Sequence, residues 1–329
     1  MPRREAQLRA WLADACRLPA FEMVPASGDA SFRRYFRLRL ADGRSLIAMD
    51  APPDKEDCRP FVDVNARLEA AGVHVPHIHA QDLEQGFLLL EDLGDRLYQH
   101  ALDEDSADRL YGEAIDALLR IQQADADGLP PYDRDLLMRE MALFPEWLLG
   151  THLGTPPDAG EQAMLAETFE LLVANALEQP RVLVHRDYHS RNLLVCEHDS
   201  PGVIDHQDAV YGPIAYDLVS LLRDCYLSWP PERVQGWLES WAERACAAGL
   251  LAESDRARLP RWFDLMGVQR HLKAAGIFAR LCHRDGKPGY LADIPRTLGY
   301  IVAAAERHPE LAPLAALIDE RVLPRLEAA

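Results

Sequence analysis

The chain has 329 residues, 35 basic against 53 acidic side chains for a formal net charge of -18, and 48% hydrophobic residues. That length supports two domains with buried cores, and the composition is that of a globular protein, not a disordered one. The charge argues against a nucleic-acid binder, which needs basic surface to neutralise phosphates, but leaves room for an anionic small ligand held by local positive charge.

The first stretch, MPRREAQLRAWLADACRL, sets Leu8, Trp11, Leu12 and Ala15 at helical spacing, so an amphipathic helix is expected there, not a signal peptide. RYFRLRLADGRSLIAMDAP follows, with two alternating or apolar runs around Asp42-Gly43, a hairpin signal. RPFVDVNARLEAAG repeats Phe61, Val64 and Leu68 at helical spacing and closes at Gly72. HVPHIHAQDLEQGFLLLEDLG reads as strand, turn and strand, ending in a polar elbow. Its histidines, His74, His77 and His79, alternate along a strand, but no neighbouring carboxylate or cysteine completes a metal set, so a structural role is expected. Residues 1–92 therefore predict a small, mostly antiparallel sheet with a helix against it.

Beyond Gly94 the pattern turns helical. SADRLYGEAIDALLRIQQAD predicts a helix capped by Ser106. DRDLLMREMALFPEWLLG predicts another, broken near Pro145, and EQAMLAETFELLVANALEQ a third. Residues 93–329 read as mainly helical with a short strand pair embedded. No apolar run approaches the roughly 20 residues of a membrane span. The six cysteines form no C-x-x-C pair and suit reduced core positions, which points to the cytoplasm.

Inside the helical part, VLVHRDYHSRNLLV (182–195) encloses a polar island between two apolar runs. His185, Asp187 and Asn192 stand as H-x-D-x-x-x-x-N, and GVIDHQ then brings Asp205 to the end of another apolar run. Two short strands joined by a turn put Asn192 and Asp205 on neighbouring ends. An amide oxygen and a carboxylate there suit magnesium, which prefers oxygen ligands and keeps several waters. Asp187 is then free to take a proton from an attacking hydroxyl, and these are the parts that phosphoryl transfer requires.

The spacing resembles the catalytic loop of the protein-kinase-like superfamily, with His185, Arg186, Asp187 and Asn192 matching the loop and Asp205 the later metal-binding aspartate. His206 and Gln207 replace the usual Phe-Gly. Only eleven residues lie between Asp205 and Asp217, and GPIAYDLVSLL already begins a helix, so the activation segment of a peptide kinase has no room. The pattern is similar instead to the aminoglycoside phosphotransferase and choline kinase branch. SGDASFRRYFRL, LLLEDLGDRLY and QRHLKAAGIFARLCHRDGK, with the loop itself, resemble a narrower group: the bacterial anomeric sugar kinases of cell-wall recycling.

That resemblance implies an α+β, bilobal protein-kinase-like fold, with a nucleotide-binding lobe over 1–92 and a catalytic and substrate-binding lobe over 93–329. It implies ATP and Mg2+, and transfer of the γ-phosphoryl group to the anomeric hydroxyl of N-acetylmuramate or N-acetylglucosamine in peptidoglycan recycling. Asp187 is the expected base, His185 braces its loop, Asn192 and Asp205 hold the metal, and Asp217 bonds backbone of the loop. Ser31, Phe32, Arg33 and Arg34 are expected at the nucleotide phosphates, with Glu91 and Leu93 at the adenine. Asp208, Tyr211, Arg223 and His206 are expected at the sugar. Tyr226, Trp229 and Trp147 are further aromatic candidates, and Arg191, Arg270 and Arg280 further partners for the lactyl carboxylate of a muramyl substrate. The expected partner is a small amino sugar, with neither nucleic acid nor membrane.

One departure stands out. The superfamily's third-strand lysine is replaced by Met49 in LIAMDAPP, and the only lysines are Lys55, Lys273 and Lys287. The missing charge is expected from Arg33, Arg34 or Lys55, and Asp63 is a candidate for the helix carboxylate. Two other readings stay open: a kinase of an aminoglycoside, choline or homoserine, and a nucleotide-binding regulatory pseudokinase.

Overall fold

The computed structural model describes residues 2–28 and 32–327. They form two compact units: residues 1–101 with 192–208, and residues 102–191 with 209–329.

The first unit is built on an antiparallel sheet in the order β1-β2-β3-β5-β4, comprising β1 (Phe21–Gly28), β2 (Arg34–Leu40), β3 (Ser45–Asp50), β4 (Ile78–Asp82) and β5 (Phe87–Glu91). The β2–β3 hairpin turns at Asp42-Gly43, where Gly43 takes φ +87, a conformation that glycine adopts without steric cost. β5 reads FLLLE, with four consecutive buried residues and no polar alternation. Both faces of the sheet are covered, which is why. The helix Pro2–Asp14 packs Leu8, Trp11 and Leu12 against Phe36, Leu38, Ala48, Phe87 and Leu89. On the opposite face Met49, Leu88 and Leu90 meet Cys58 and Phe61, the latter from the helix Arg59–Ala70. Ala15, expected on the buried stripe of the first helix, lies beyond its end and is exposed.

A hairpin from far along the chain completes this unit. β7 (Leu193–Leu194) pairs with β8 (Gly202–Val203), Val195 N–H donates to Arg96 O at 2.8 Å, and Val203 N–H donates to His74 O at 2.8 Å. The unit expected to end at residue 92 therefore continues to Ala101 and takes in 192–208.

The second unit is helical. Its longest helix, Leu259–Asp285, has 27 residues, is buried along most of its length, and ends at Gly286 with φ +67. Gly276 on this helix comes so close to the backbone of Leu143 that a Cβ there would lie 2.4 Å from its carbonyl carbon. Leu143 leads into the π-helical segment Phe144–His152, so the expected break near Pro145 is a change of helix type. Ser106 stands at the start of the helix Ala107–Gln123 but makes no side-chain cap; its hydroxyl accepts from the N–H of Asp103. β6 (Arg181–Val184), the apolar run ahead of His185, pairs with β9 (Val210–Pro213), which the sequence did not suggest, and leads into the loop 185–192. No helix among the described residues is long and apolar enough to cross a membrane.

Candidate active site

β6 ends at Val184, and the loop that follows is gripped at once. The buried carboxylate of Asp217, in the first turn of the helix Ala215–Leu222, accepts the N–H of His185 at 2.6 Å and that of Arg186 at 3.0 Å. Asp217 thus both stands in the first turn of its helix and holds the loop. Burial pushes its pKa up to about 7, the two N–H donors act against that, and the nearby charge of Asp187 adds to it. Arg186 sits at φ +75, a conformation that costs a non-glycine residue about 1–3 kcal/mol. The clamp on its N–H and the pairing of its guanidinium with Glu140 maintain it. His185 is fully buried, and its Nδ1 accepts the N–H of Asp187 at 3.3 Å, which suits a residue that braces the loop.

Asp187 is partly buried at the turn of this loop. Burial raises its pKa, but Lys273 foremost, then His189, Arg186 and His185, act against that and hold it below the usual carboxylate value. It is therefore an ionised acceptor at neutral pH. Lys273 is buried, pairs with Glu140 at 2.9 Å and donates to the hydroxyl of Tyr216 at 3.0 Å. Glu140 also accepts from Tyr132. The group Glu140, Arg186 and Lys273 places two cations and one anion beneath the catalytic loop, a net positive charge facing Asp187. Sequence reading missed Lys273 and Glu140; the scarcity of lysine was the one signal for the former.

In the first unit, Asn192 and Asp205 come together as expected. They flank the β7–β8 pair, Asn192 O accepts the N–H of Ile204 at 3.1 Å, and Asn192 Nδ2 lies 3.4 Å from Asp205 Oδ2. Asp205 is held at φ +66, and Gln207 Nε2 donates to its Oδ1 at 2.8 Å. An amide oxygen and a carboxylate form a hard-oxygen donor set that fits magnesium with most of its shell left to water and phosphate.

The three cations expected in place of the absent lysine have different surroundings. Met49 is wholly buried in the apolar cluster with Leu88 and Phe61. Arg33 is the group that feels Asp205 and Asp208: burial works against its charge, but Tyr35, Glu56, Asp205 and Asp208 together raise its pKa. Its Nη2 pairs with Glu56 Oε2 at 3.1 Å, and the other oxygen of Glu56 accepts the N–H of Phe32 at 3.2 Å. Glu56, not Asp63, is thus the carboxylate paired with Arg33; Asp63 pairs with Arg67 one turn along its own helix. Arg34 goes elsewhere: with Arg4 it pairs to the buried Asp50. Lys55 lies over the ring of Phe32, 5.9 Å from its centroid. Ser31 lies outside the described residues.

The elbow after β5 is clasped by Arg37, whose guanidinium reaches Asp92 at 2.7 Å and the carbonyl of Gly94 at 2.9 Å. Glu91 pairs with Leu46 across the sheet, and Leu93 packs so near Gly202 that a Cβ there would lie 2.8 Å from its Cδ1. Ahead of β4, His77 Nδ1 lies 3.0 Å from Glu69 and His74 Nε2 3.9 Å from Glu91, contacts that suit a structural role.

The expected sugar residues scatter. Asp208 is exposed and acts on Arg33. The ring of His206 packs 4.6 Å from that of Phe61. Tyr211 lies on β9 beneath the guanidinium of Arg181, 4.4 Å from its centroid. Arg223 is committed to Asp264 at 2.6 Å and lies over Phe263. Trp229 hydrogen-bonds the buried Tyr111. Beside the loop 185–192 two of the further candidates meet, Arg191 over Tyr226 at 3.5 Å, together with Tyr290, Phe278 and His189.

The model of the phosphotransferase enzyme family known as APH matches residues 22–259. The N-acetylmuramate/N-acetylglucosamine kinase of Pseudomonas putida is 51% identical over 304 residues, spanning 92% of this chain and 89% of that protein. The protein of the same name from Pseudomonas aeruginosa is 50% identical over 327 residues, spanning 96% of each. Among solved structures, the ethanolamine kinase of Plasmodium vivax aligns with a TM-score of 0.66 over 92% of this chain and 88% of that one. At 12% identity that likeness speaks to the fold, which is protein-kinase-like. On the strength of the family match and of relatives at half identity along nearly the whole chain, the protein belongs to the APH phosphotransferase enzyme family.

Proposed function

We propose that the protein is an ATP-dependent amino-sugar kinase that phosphorylates N-acetylmuramate and N-acetylglucosamine at the anomeric hydroxyl. Asp187 takes the proton of that hydroxyl, the freed oxygen attacks the γ-phosphorus, and the bond to the β-phosphate oxygen breaks to release ADP. The anomeric hydroxyl is more acidic than other sugar hydroxyls, so an ionised carboxylate is an adequate base. Asn192 and Asp205 hold magnesium, which when bound neutralises charge on the phosphates. Arg33, oriented by Glu56, supplies the cation that Met49 does not; an arginine fork grips phosphate oxygens in pairs. That assignment removes the reason for a pseudokinase reading.

The observation that carries the chemistry is the grip of Asp217 on the loop, which presents Asp187 as an ionised, partly open carboxylate. The names of the half-identical relatives support the choice of sugar. ADP release from ATP and magnesium is to be measured with N-acetylmuramate, N-acetylglucosamine, choline, homoserine and kanamycin. Release with the two sugars alone is expected; release with choline, homoserine or kanamycin and neither sugar would move the protein to another branch.

A further inference from the structure

Resting on the amino-sugar reading, we infer that Arg270 is the receptor for the carboxylate of the acceptor sugar, and so sets preference for an acidic over a neutral sugar. N-acetylmuramate carries a lactyl carboxylate that N-acetylglucosamine lacks.

Four arginines of the second unit are candidates, and the structure separates them. Arg223 is consumed by Asp264. Arg191 lies between the rings of Tyr226 and Tyr290 with Asp293 at 3.9 Å. Among the described residues Arg280 also lacks a bonded carboxylate, and its Nε is buried without a partner, but it is less buried than Arg270 and its charged neighbours are Arg284, Asp285 and Glu146, none of them on the loop. Arg270 differs in its burial and its neighbours. It projects from the middle of the helix Leu259–Asp285 and is 6% exposed. Among the described residues it forms no ion pair, and its one side-chain hydrogen bond runs to the thiol of Cys225 at 3.4 Å, a weak acceptor. A guanidinium offers five donors, and that one weak bond engages a single one of them. A buried cation without a bonded carboxylate is costly unless a ligand completes it.

Its surroundings belong to the catalytic loop. Burial works against its charge, but Cys225, Tyr216, Asp224 and Asp187 together favour it. Asp224 itself is spent on backbone: it accepts the N–H of Ser190 at 3.0 Å and of Tyr226 at 2.9 Å. Two further polar groups of the same loop are buried without a protein partner among the described residues, Nδ1 of His189 and the hydroxyl of Ser190, with their side chains 8% and 3% exposed. Burial lowers the pKa of His189, so its imidazole is neutral and able to hydrogen-bond a sugar substituent. A cation and two unsatisfied polar side chains, next to the base that must face the hydroxyl, are what an acidic sugar requires.

The test is a ratio. The kcat/KM for N-acetylmuramate and for N-acetylglucosamine is to be measured for the wild type, Arg270→Gln and Arg270→Lys. Loss of a charge-assisted hydrogen bond to a carboxylate predicts that the N-acetylmuramate/N-acetylglucosamine ratio falls on the order of 100-fold in Arg270→Gln, with partial recovery in Arg270→Lys. A purely structural or electrostatic role lowers both sugars alike, and an unchanged ratio overturns the inference. A second measurement needs no variant: the wild type is given N-acetylmuramate with its lactyl carboxylate converted to the neutral amide. A rise in KM for the amide is expected, and equal KM for acid and amide overturns the inference even if both variants fail to fold. A wild type that turns over neither sugar removes the underlying reading as well, whereas an unchanged ratio removes only the role of Arg270.

Discussion

Asp187 carries the heaviest assignment of any residue. Asp187→Asn keeps the shape and removes the base, so kcat is expected to fall about 10²- to 10⁴-fold. ATP binding by calorimetry should stay close to wild type; retained turnover would take Asp187 out of its role. Arg33 and Glu56 make a coupled prediction. Arg33→Ala should raise the KM for ATP about tenfold or more, Glu56→Gln less, and the double variant no further than Arg33→Ala alone, because Glu56 acts through Arg33. Additive losses would show that the two act separately. At this scale the spacing of His185, Asp187, Asn192 and Asp205 made the chemistry legible, since a kinase loop needs those groups at fixed intervals. Glu56 was not legible: it stands in a loop ahead of its helix and meets Arg33 only through the fold of the sheet. The sugar residues were hardest to read, because a sugar is held by side chains from several elements with no spacing rule. Arg223 illustrates it, a plausible ligand whose charge is spent on Asp264.

The long helix Leu259–Asp285 sets the predictions at the scale of elements. Gly276→Ala brings a methyl into the backbone of Leu143 and should destabilise by about 1–3 kcal/mol, although alanine is the better helix former. Gly299, exposed on the helix Ile294–Ala305 with nothing within 4 Å, is the control: Gly299→Ala should stabilise by up to about 1 kcal/mol. Urea midpoints for the two variants moving in the same direction would contradict this. Asp264 on the same helix ties together Arg223, Arg307 and His308. Burial raises its pKa, but bonds from Arg307 and Arg223 overcome that and take it down to about 2. A carboxylate with a depressed pKa contributes stability that is present above its unfolded value of about 4 and is lost as pH falls toward 2. Asp264→Asn should flatten stability against pH across that window; an unchanged acid limb would show that Asp264 does not govern it. The elements themselves were readable from periodicity where one face is buried, as with Phe61, Val64 and Leu68. β9 was not, because VYGP is short and reads as a turn until β6 pairs with it.

Across the whole molecule, a net charge of -18 would repel ATP were it evenly spread. The cations that matter are set apart from the acidic surface: Arg33 beside Asp205 in one unit, and Arg186, Lys273 and Arg270 around Asp187 in the other. Paired or buried, they make local positive fields that composition alone conceals, which the proposed function assigns to phosphate and sugar. The division of the chain was half legible: the change of character after Gly94 is plain in sequence, but the return of residues 192–208 to the first unit depends on backbone bonds to Arg96 and His74. That return puts Asn192 and Asp205 in the unit that also carries Arg33, while Asp187 belongs to the helical unit. The account stands or falls on the product. Carbon-13 and phosphorus-31 NMR of N-acetylglucosamine incubated with ATP, magnesium and the protein should show phosphorus coupled to carbon 1 and loss of the reducing end. A phosphate on another carbon, or no phosphorylated sugar while the protein is folded, would contradict it.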